Sequence, residues 1–309
     1  MAEAMTSNAI PMLQNEEPQL KLMRARTRMY ALASRILVAQ LVLTLLIPAL
    51  GAILVLFVPS ARASIAALAL LITALDVLVL DRRQKLLIKR AAKVGESFDC
   101  AVLALPWDRF NAGDPVEIED IHAAARAYAR HKDDSGLRDW YPVAAGQAPL
   151  HLARIICQRT NLRYDSQLRR SYGTIVVSIA SAILLLLFVG GFVQDLKLSD
   201  WVLTMAPASP ILTWAAREYY RQNDTADSLE EHLRAAKALW ARALAGECDA
   251  DHCLAQSREF QNAIYYRRAS SPLIVPLLYR FKRLQLEDDM NEAAANFLAD
   301  YQNANAGTG

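Results

Sequence analysis

The sequence predicts a mainly α-helical membrane protein, with four transmembrane helices in two hairpins and a helical cytoplasmic domain. Three observations predict it: apolar stretches long enough to cross a bilayer, their grouping into two close pairs, and a long polar segment between the pairs. About 18 to 20 consecutive apolar residues cross the ~30 Å hydrocarbon core as a helix. The stretches are Ile36–Val58, Ala63–Leu80, Gly173–Val193 and Leu198–Ala216.

Composition agrees with a helical membrane protein and argues against a nucleic-acid-binding one. Hydrophobic residues make up 54% of the 309 residues, and the mean hydropathy is +0.13. Glycine contributes only 11 residues and aromatic residues 8%, so the apolar excess is aliphatic. The net charge of +2 is close to balance, so we expect no duplex nucleic acid as a partner.

The chain divides into five segments at the ends of the apolar stretches. Two are hairpins, and the other three are a cytoplasmic N-terminal helix, a cytoplasmic insert and a C-terminal helical region. In chain order the segments are 1–35, 36–80, 81–172, 173–216 and 217–309.

The first hairpin carries polar residues at helical spacing. Gln40, Thr44, Pro48 and Gly51 fall on one face of the first span. Small and polar residues commonly lie between packed membrane helices, so this face either contacts a neighbouring helix or lines a pore. Asp76 is an ionisable residue inside the second span, and such residues are functional candidates because burying the charge costs about 3 kcal/mol. Its alternative position is at the lipid headgroups.

The cytoplasmic insert reads as a series of helices. Residues 82–96 continue the second span as a basic helix, and Ile118–Lys132 has an amphipathic pattern. Phe98–Leu105 is an apolar run that fits either a strand or a helical turn. Leu150–Tyr172 predicts one helix that runs into the third span. That helix carries several arginines, which either form a solvated basic face or hold phosphate through bidentate contacts.

The fourth stretch is interrupted by polar residues and prolines. Asp200 stands near its start, and Pro207 and Pro210 follow. Three structures fit this pattern: a short kinked packing helix, a broken helix that lines a water-filled cavity, and a re-entrant segment.

The C-terminal region predicts further helices. Ser228–Glu231 has a capping-box pattern, which predicts that a helix begins there and continues to about Ala245. A second helix is predicted from about Asp251 to Arg268, with a break at Ser270–Pro272. We expect the tail from Asn303 to be disordered.

Lysine and arginine flank the predicted spans on one side, whereas the short connections on the other side contain only Arg62 and Lys197. This bias places both termini and the insert in the cytoplasm of a multi-pass protein. The flanking cations are Lys21, Arg24, Arg26, Arg28, Arg35, Arg82, Arg83, Lys85, Lys89, Arg90, Lys93, Arg159, Arg163, Arg169, Arg170, Arg217 and Arg221.

Motifs of catalysis and metal binding are missing from the sequence. There is no glycine-rich phosphate loop, no HExxH and no G-x-S-x-G. Cys248, His252 and Cys253 are close in sequence but lack a second ligand pair at zinc spacing. We therefore expect no enzyme activity, no metal and no cofactor.

Several short motifs occur in order along nearly the whole chain, and some combine Trp, Cys and Asn, which are uncommon residues. The motifs are Ile10-Pro11, Gln14-Asn15, Leu20–Tyr30, Ser97-Phe98-Asp99, Leu105-Pro106-Trp107, Asp139-Trp140-Tyr141-Pro142, Cys157-Gln158, Asn161, Asp165, Leu168-Arg169-Arg170, Tyr172, Ile264, Arg267, Pro272, Pro276, Tyr279 and Met290. In these motifs the chain resembles the SMODS-associating four-transmembrane effector family.

The resemblance implies a membrane effector of bacterial anti-phage defence. Such a protein senses a nucleotide second messenger from a partner nucleotidyltransferase, then permeabilises the inner membrane and arrests or kills the cell. Four spans of low polarity cannot enclose a hydrated pore alone, so we expect a homo-oligomer, for example a tetramer. The alternatives are a membrane-anchored scaffold that recruits a protein without conduction, and a small transporter, which the lack of repeat symmetry disfavours.

Candidate site residues follow from these hypotheses. For the messenger, a regulatory ligand, they are Arg159, Arg163, Arg169, Arg170, Trp107 and Trp140. For a pore or its gating they are Gln40, Thr44, Asp76, Asp200, Pro207 and Pro210.

Overall fold

The computed structural model describes residues 8–47, 50, 51, 54, 58–193, 197 and 209–306. These residues form helices and connecting turns, and no strand occurs among them. The predicted helical fold class is confirmed.

The helices are labelled in chain order. They are α1 (Ile10–Leu13), α2 (Glu17–Leu41), α3 (Arg62–Leu75), α4 (Asp81–Val102), α5 (Arg109–Ala112), α6 (Ile118–Ala129), α7 (Leu150–Val193), α8 (Ser209–Leu244), α9 (Ala250–Ser270) and α10 (Pro276–Ala306). Helix α2 continues as a π-helical turn at Val42–Leu46, and another at Asp76–Leu80 joins α3 to α4. Short 3-10 helices lie at Pro59–Ala61 and Val143–Gln147.

Three continuous helical segments are long and apolar enough to cross a membrane: Glu17–Leu46, Ala63–Val102 and Leu150–Gly190. Each joins an apolar span to a polar length of helix. Their large apolar side chains are exposed in the isolated chain, for example Leu70 at 73% and Phe192 at 78%. An exposed apolar surface of this size is unfavourable in water, and the acyl chains of a bilayer would cover it.

Most of the fourth predicted span lies outside the described residues. Asp200 and Pro207 belong to that part. Ser209–Ala216 is the first described part of α8, and Pro210 belongs to it.

The polar ends of the long helices pack into one bundle. The amino-terminal half of α2 contacts α4 and α6, α7 lies along α8, and α9 packs against both α4 and α7. Large side chains such as Phe98, Leu103 and Ile155 are almost fully buried in its core. Helix α10 completes the bundle, since the Phe297 ring meets Trp240 of α8 edge to face at 5.0 Å.

Residues 8–15 fasten the amino terminus onto the loop at 139–148, and we call this contact the N-terminal clasp. The Asn8 amide donates 2.8 Å hydrogen bonds to the carbonyls of Ala145 and Ala148. A Cβ atom added at Gly146 would lie only 2.6 Å from Pro11 Cγ, so only glycine allows this approach. The clasp thus joins segments that are far apart in sequence.

Two details differ from the sequence predictions, and one alternative that the sequence left open is decided. Ser228 does not begin a helix, because α8 runs unbroken past it. No glycine or proline interrupts this stretch, and its packing on α7 outweighs the local capping pattern. Residues Asn303–Ala306 are helical rather than disordered, since Leu298 and Tyr301 anchor the last turns of α10 to the core. The Phe98–Leu105 run is helical to Val102 and then turns, which rules out the strand alternative.

Candidate functional site

Arg169, one of the predicted ligand arginines, is buried and surrounded by protein acceptors. Its Nε donates to the Asp165 carboxylate at 3.0 Å, and one terminal nitrogen donates to the Gln222 side-chain oxygen at 2.8 Å. The same nitrogen also donates to the Pro272 carbonyl at 3.1 Å. Arg169 therefore fastens α7 to α8 and to the turn before α10.

Arg170 forms ion pairs with two carboxylates of α8. The distances are 2.7 Å to Asp227 and 3.0 Å to Glu230. The hydrogen bond from Arg170 lowers the pKa of Glu230 below its ordinary value. This arginine thus strengthens the same α7–α8 contact.

Arg159 and Arg163, the other two candidates, line a cavity of about 260 Å³ between α7 and α10. Within the described part of the chain, neither forms a salt bridge with a carboxylate. The two are one helical turn apart and therefore project from the same face of α7. The lining residues are Arg159, Thr160, Arg163, Tyr164 and Gln167 from α7, and Leu286, Asp289, Met290, Glu292, Ala293 and Asn296 from α10.

The protein satisfies only some of the interactions that the Arg159 guanidinium can form. It lies over the Phe297 ring at 4.3 Å from the centroid, a cation–π contact. Its Nε is buried without a hydrogen-bond partner among the described atoms. Burial lowers the pKa of Arg159, and the nearby Arg163 charge adds to the effect. A bound anion would supply both the missing acceptor and a compensating charge.

The opposite wall of the cavity is acidic. Asp289 and Glu292 bring carboxylates from α10, and Asn296 brings an amide. Cations on one wall and hydrogen-bond acceptors on the other suit a ligand that carries both a phosphate and N–H or O–H donors.

The two tryptophan candidates lie elsewhere. Trp107 Nε1 donates to the Gly113 carbonyl at 2.8 Å, and its ring packs near Tyr265. The Arg26 guanidinium lies over the Trp140 ring at 4.6 Å. Neither tryptophan is among the residues that line the α7–α10 cavity.

Two of the pore candidates are in contact inside the first hairpin. The Gln40 amide donates a 2.7 Å hydrogen bond to the Asp76 carboxylate, and the Thr44 hydroxyl donates to the Gln40 carbonyl at 2.7 Å. Asp76 begins one π-helical turn, and the other begins just after Gln40. Such turns occur frequently at functional sites. The polar pair therefore joins the first two spans next to the ends that lead into the bundle.

Comparison with known proteins identifies the family. A model of the SMODS-associating 4TM effector domain matches residues 8–297. The chain belongs to this family. A probable CBASS effector molecule from Bacillus cereus (strain VD146) is 24% identical over 290 residues, which cover 89% of this chain and 93% of that protein. No solved structure matches.

Membership of the SMODS-associating family confirms the resemblance seen in the sequence motifs. It makes the chain a membrane effector of anti-phage defence. Several of those motifs meet in one place, a buried polar cluster between α4, α7 and α9.

Two carboxylates form the centre of this cluster. Glu96 and Asp99 are each 1% exposed. Asp99 accepts hydrogen bonds from the Tyr141 hydroxyl at 2.6 Å, from the Gln261 amide at 2.7 Å and from Arg268. Glu96 accepts from Gln261 at 2.9 Å and from Arg258. The sequence predictions missed this cluster, although Glu96 and Asp99 are three residues apart on a helix, which places them on one face.

Burial shifts the pKa values of two groups in the cluster, Tyr141 and Glu96. It raises the pKa of Tyr141 well above its ordinary value, and the neighbouring Asp99 charge adds to that rise. Tyr141 therefore stays a donor. Burial also raises the pKa of Glu96, with Asp99 again adding to the rise, whereas Gln261 and Arg258 oppose it. In this family member the cluster joins α4, the polar extension of the second span, to the bundle.

Proposed function

We propose that the protein is a nucleotide-controlled effector that permeabilises the bacterial inner membrane and so arrests or kills the cell. One observation supports this function above all. Helix α7 is continuous over 44 residues, with the mixed-charge cavity on its cytoplasmic half and a membrane span on the other. Both the ligand and the membrane would therefore act on one rigid element.

The continuity of α7 gives a physical route for control. Arg163 precedes Gly173, the start of the predicted span, by ten residues, which is about 15 Å along a helix. A messenger that binds one orientation of α7 more tightly shifts the equilibrium towards that orientation. The membrane half moves with it because no break lies between the two.

We further propose that several copies assemble around the permeation path, for instance as a tetramer, with both termini in the cytoplasm. Within the described spans the polar groups are few, with Gln40, Thr44 and Asp76 in the first hairpin. One chain with so few polar groups cannot line a hydrated path, whereas a symmetric ring brings the same groups together several times.

Proteoliposomes test this function. The full-length protein is reconstituted with an entrapped dye, and release is measured with and without cyclic oligonucleotides, using protein-free vesicles as the control. We expect dye release that depends on both the protein and one nucleotide. Absence of release with every nucleotide, together with correct insertion, would reject permeabilisation and leave the scaffold alternative.

A further inference from the structure

We propose that the cavity between α7 and α10 is the messenger site, and that it selects a nucleotide whose base carries an exocyclic amino group. This inference rests on the proposed control by a nucleotide messenger. It adds the place of binding, the orientation of the ligand and the class of base.

The α7 wall fits the phosphate. Arg159 and Arg163 lie on one face of the helix, and within the described residues neither has a salt-bridge partner. Among the described atoms, the buried Arg159 Nε has no acceptor. Two guanidinium groups one turn apart present several N–H donors to one phosphate, and such charge-assisted bonds are among the strongest hydrogen bonds. The nearby Arg169 and Arg170 are already held by acceptors from α7, α8 and Pro272, so they cannot serve in the same way.

The α10 wall fits the base. The carboxylates of Asp289 and Glu292 repel phosphate but accept hydrogen bonds from amines and hydroxyls. Adenine, guanine and cytosine each carry an exocyclic amine with two N–H donors, whereas uracil carries none. Asn296 adds one further amide to this wall. The ligand therefore lies across the cavity, with its phosphate at α7 and its amino group at α10.

A second cavity, of about 230 Å³, is a weaker candidate. It is lined by Lys89, Arg90 and Lys93 of α4 and by acidic residues of the α6 region. There Lys93 already donates to the Asp114 carbonyl at 2.7 Å, and Arg90 pairs with Asp120 at 3.4 Å. Its cations are thus partly held by a carboxylate and a carbonyl. In the α7–α10 cavity, by contrast, neither arginine has a carboxylate partner among the described residues, and Arg163 contacts only the neutral side-chain oxygen of Gln167, at 3.2 and 3.3 Å.

Calorimetry on the full-length protein in detergent tests the site directly. The probes are cyclic dinucleotides and trinucleotides of adenosine, their uridine counterparts, and inorganic phosphate. We expect an adenosine ligand to bind at least tenfold more tightly than its uridine counterpart, and phosphate to bind far more weakly than either. Arg163→Gln should weaken both nucleotides at least tenfold, because both share the phosphate contact.

Substitutions on α10 separate base selection from phosphate binding. Asp289→Asn and Glu292→Gln, alone and together, should remove most of the preference for adenosine while the uridine ligand binds as before or better. The matched controls are Asp288→Asn, next to the cavity residue but not lining it, and Arg234→Gln on the exposed face of α8. Both controls should bind like the native chain.

Several results would overturn the inference. They are equal binding of adenosine and uridine ligands, unchanged binding by Arg163→Gln, unchanged selectivity in the α10 double variant, and absence of binding by the native chain. Dye release is measured separately on the same proteins. Binding without release would contradict the proposed permeabilisation, whereas release that the cavity variants leave unchanged would contradict only this site.

Discussion

The Tyr141 hydroxyl donates a 2.6 Å hydrogen bond to Asp99, a carboxylate that is 1% exposed. The contact joins the loop that carries the N-terminal clasp to α4, the polar extension of the second span. The backbone of the same tyrosine is held by Gln14, whose side-chain oxygen accepts from Tyr141 N at 2.7 Å. Tyr141 is therefore the residue at which the amino terminus, the loop and α4 meet.

Removal of this hydroxyl should destabilise the bundle. Tyr141→Phe leaves an Asp99 oxygen with one donor fewer and takes the acceptor from Asn161, and each such loss costs about 1–3 kcal/mol when the group is buried. Thermal unfolding in detergent measures the effect. Tyr266→Phe is the control, since this tyrosine is 69% exposed. Equal melting temperatures for the two variants would contradict the prediction.

The pair formed by Arg268 and Asp99 should show strong coupling. Arg268→Met leaves the buried Asp99 charge without its cation, which costs about 3–5 kcal/mol for a buried pair. Asp99→Asn in the same chain removes the unpaired charge and should recover part of the loss. A double-mutant cycle of unfolding free energies measures the coupling. Additive losses, with no recovery, would show that the pair contributes little.

The Gln40–Asp76 hydrogen bond should control the movement of the first hairpin. Asp76→Leu removes the acceptor, whereas Asp76→Asn keeps a side-chain oxygen for Gln40 and removes the charge. We expect Asp76→Leu to change the rate of dye release several-fold and Asp76→Asn to change it less. Thr73→Val, an exposed residue one turn earlier, is the control. If all three variants release dye like the native chain, the pair has only a packing role.

Cysteine labelling tests the predicted orientation of the protein in the membrane. Ser60 lies exposed in the turn of the first hairpin, and Ser135 lies exposed in the insert. In a chain with its four cysteines replaced, Ser60→Cys should react with an impermeant maleimide added to spheroplasts. Ser135→Cys should react only after lysis. The reverse pattern would place the bundle outside the cytoplasm.

The spans and the long helices could be predicted from the sequence because they depend on local composition. Three apolar stretches and the continuation of Leu150–Tyr172 into the third span follow directly from residue type. The Ser228 capping pattern failed for the opposite reason. It is a preference of a few residues, and the packing of α8 on α7 outweighed it.

The roles of the four arginines could not be predicted from α7 alone. Their spacing shows which of them share a face but not which partner helix meets that face. Helix α8 supplies carboxylates to Arg170, whereas α10 leaves a cavity beside Arg159 and Arg163. Likewise, the spacing of the polar residues around Gln40 shows which face of the helix they share. It does not show that this face meets Asp76, because that contact depends on how the two helices of the hairpin pack.

The N-terminal clasp also sets an order for biosynthesis. Residues 8–15 leave the ribosome first, yet the loop they bind at 139–148 emerges only after both helices of the first hairpin have been translated. Glu96 and Asp99 form ion pairs with Arg258 and Arg268 of α9, which are translated later still. A chain cut short before α9 would keep two uncompensated carboxylates in its interior, which opposes closure of the bundle. Translation of this membrane effector thus yields a closed bundle only after α9 has been made.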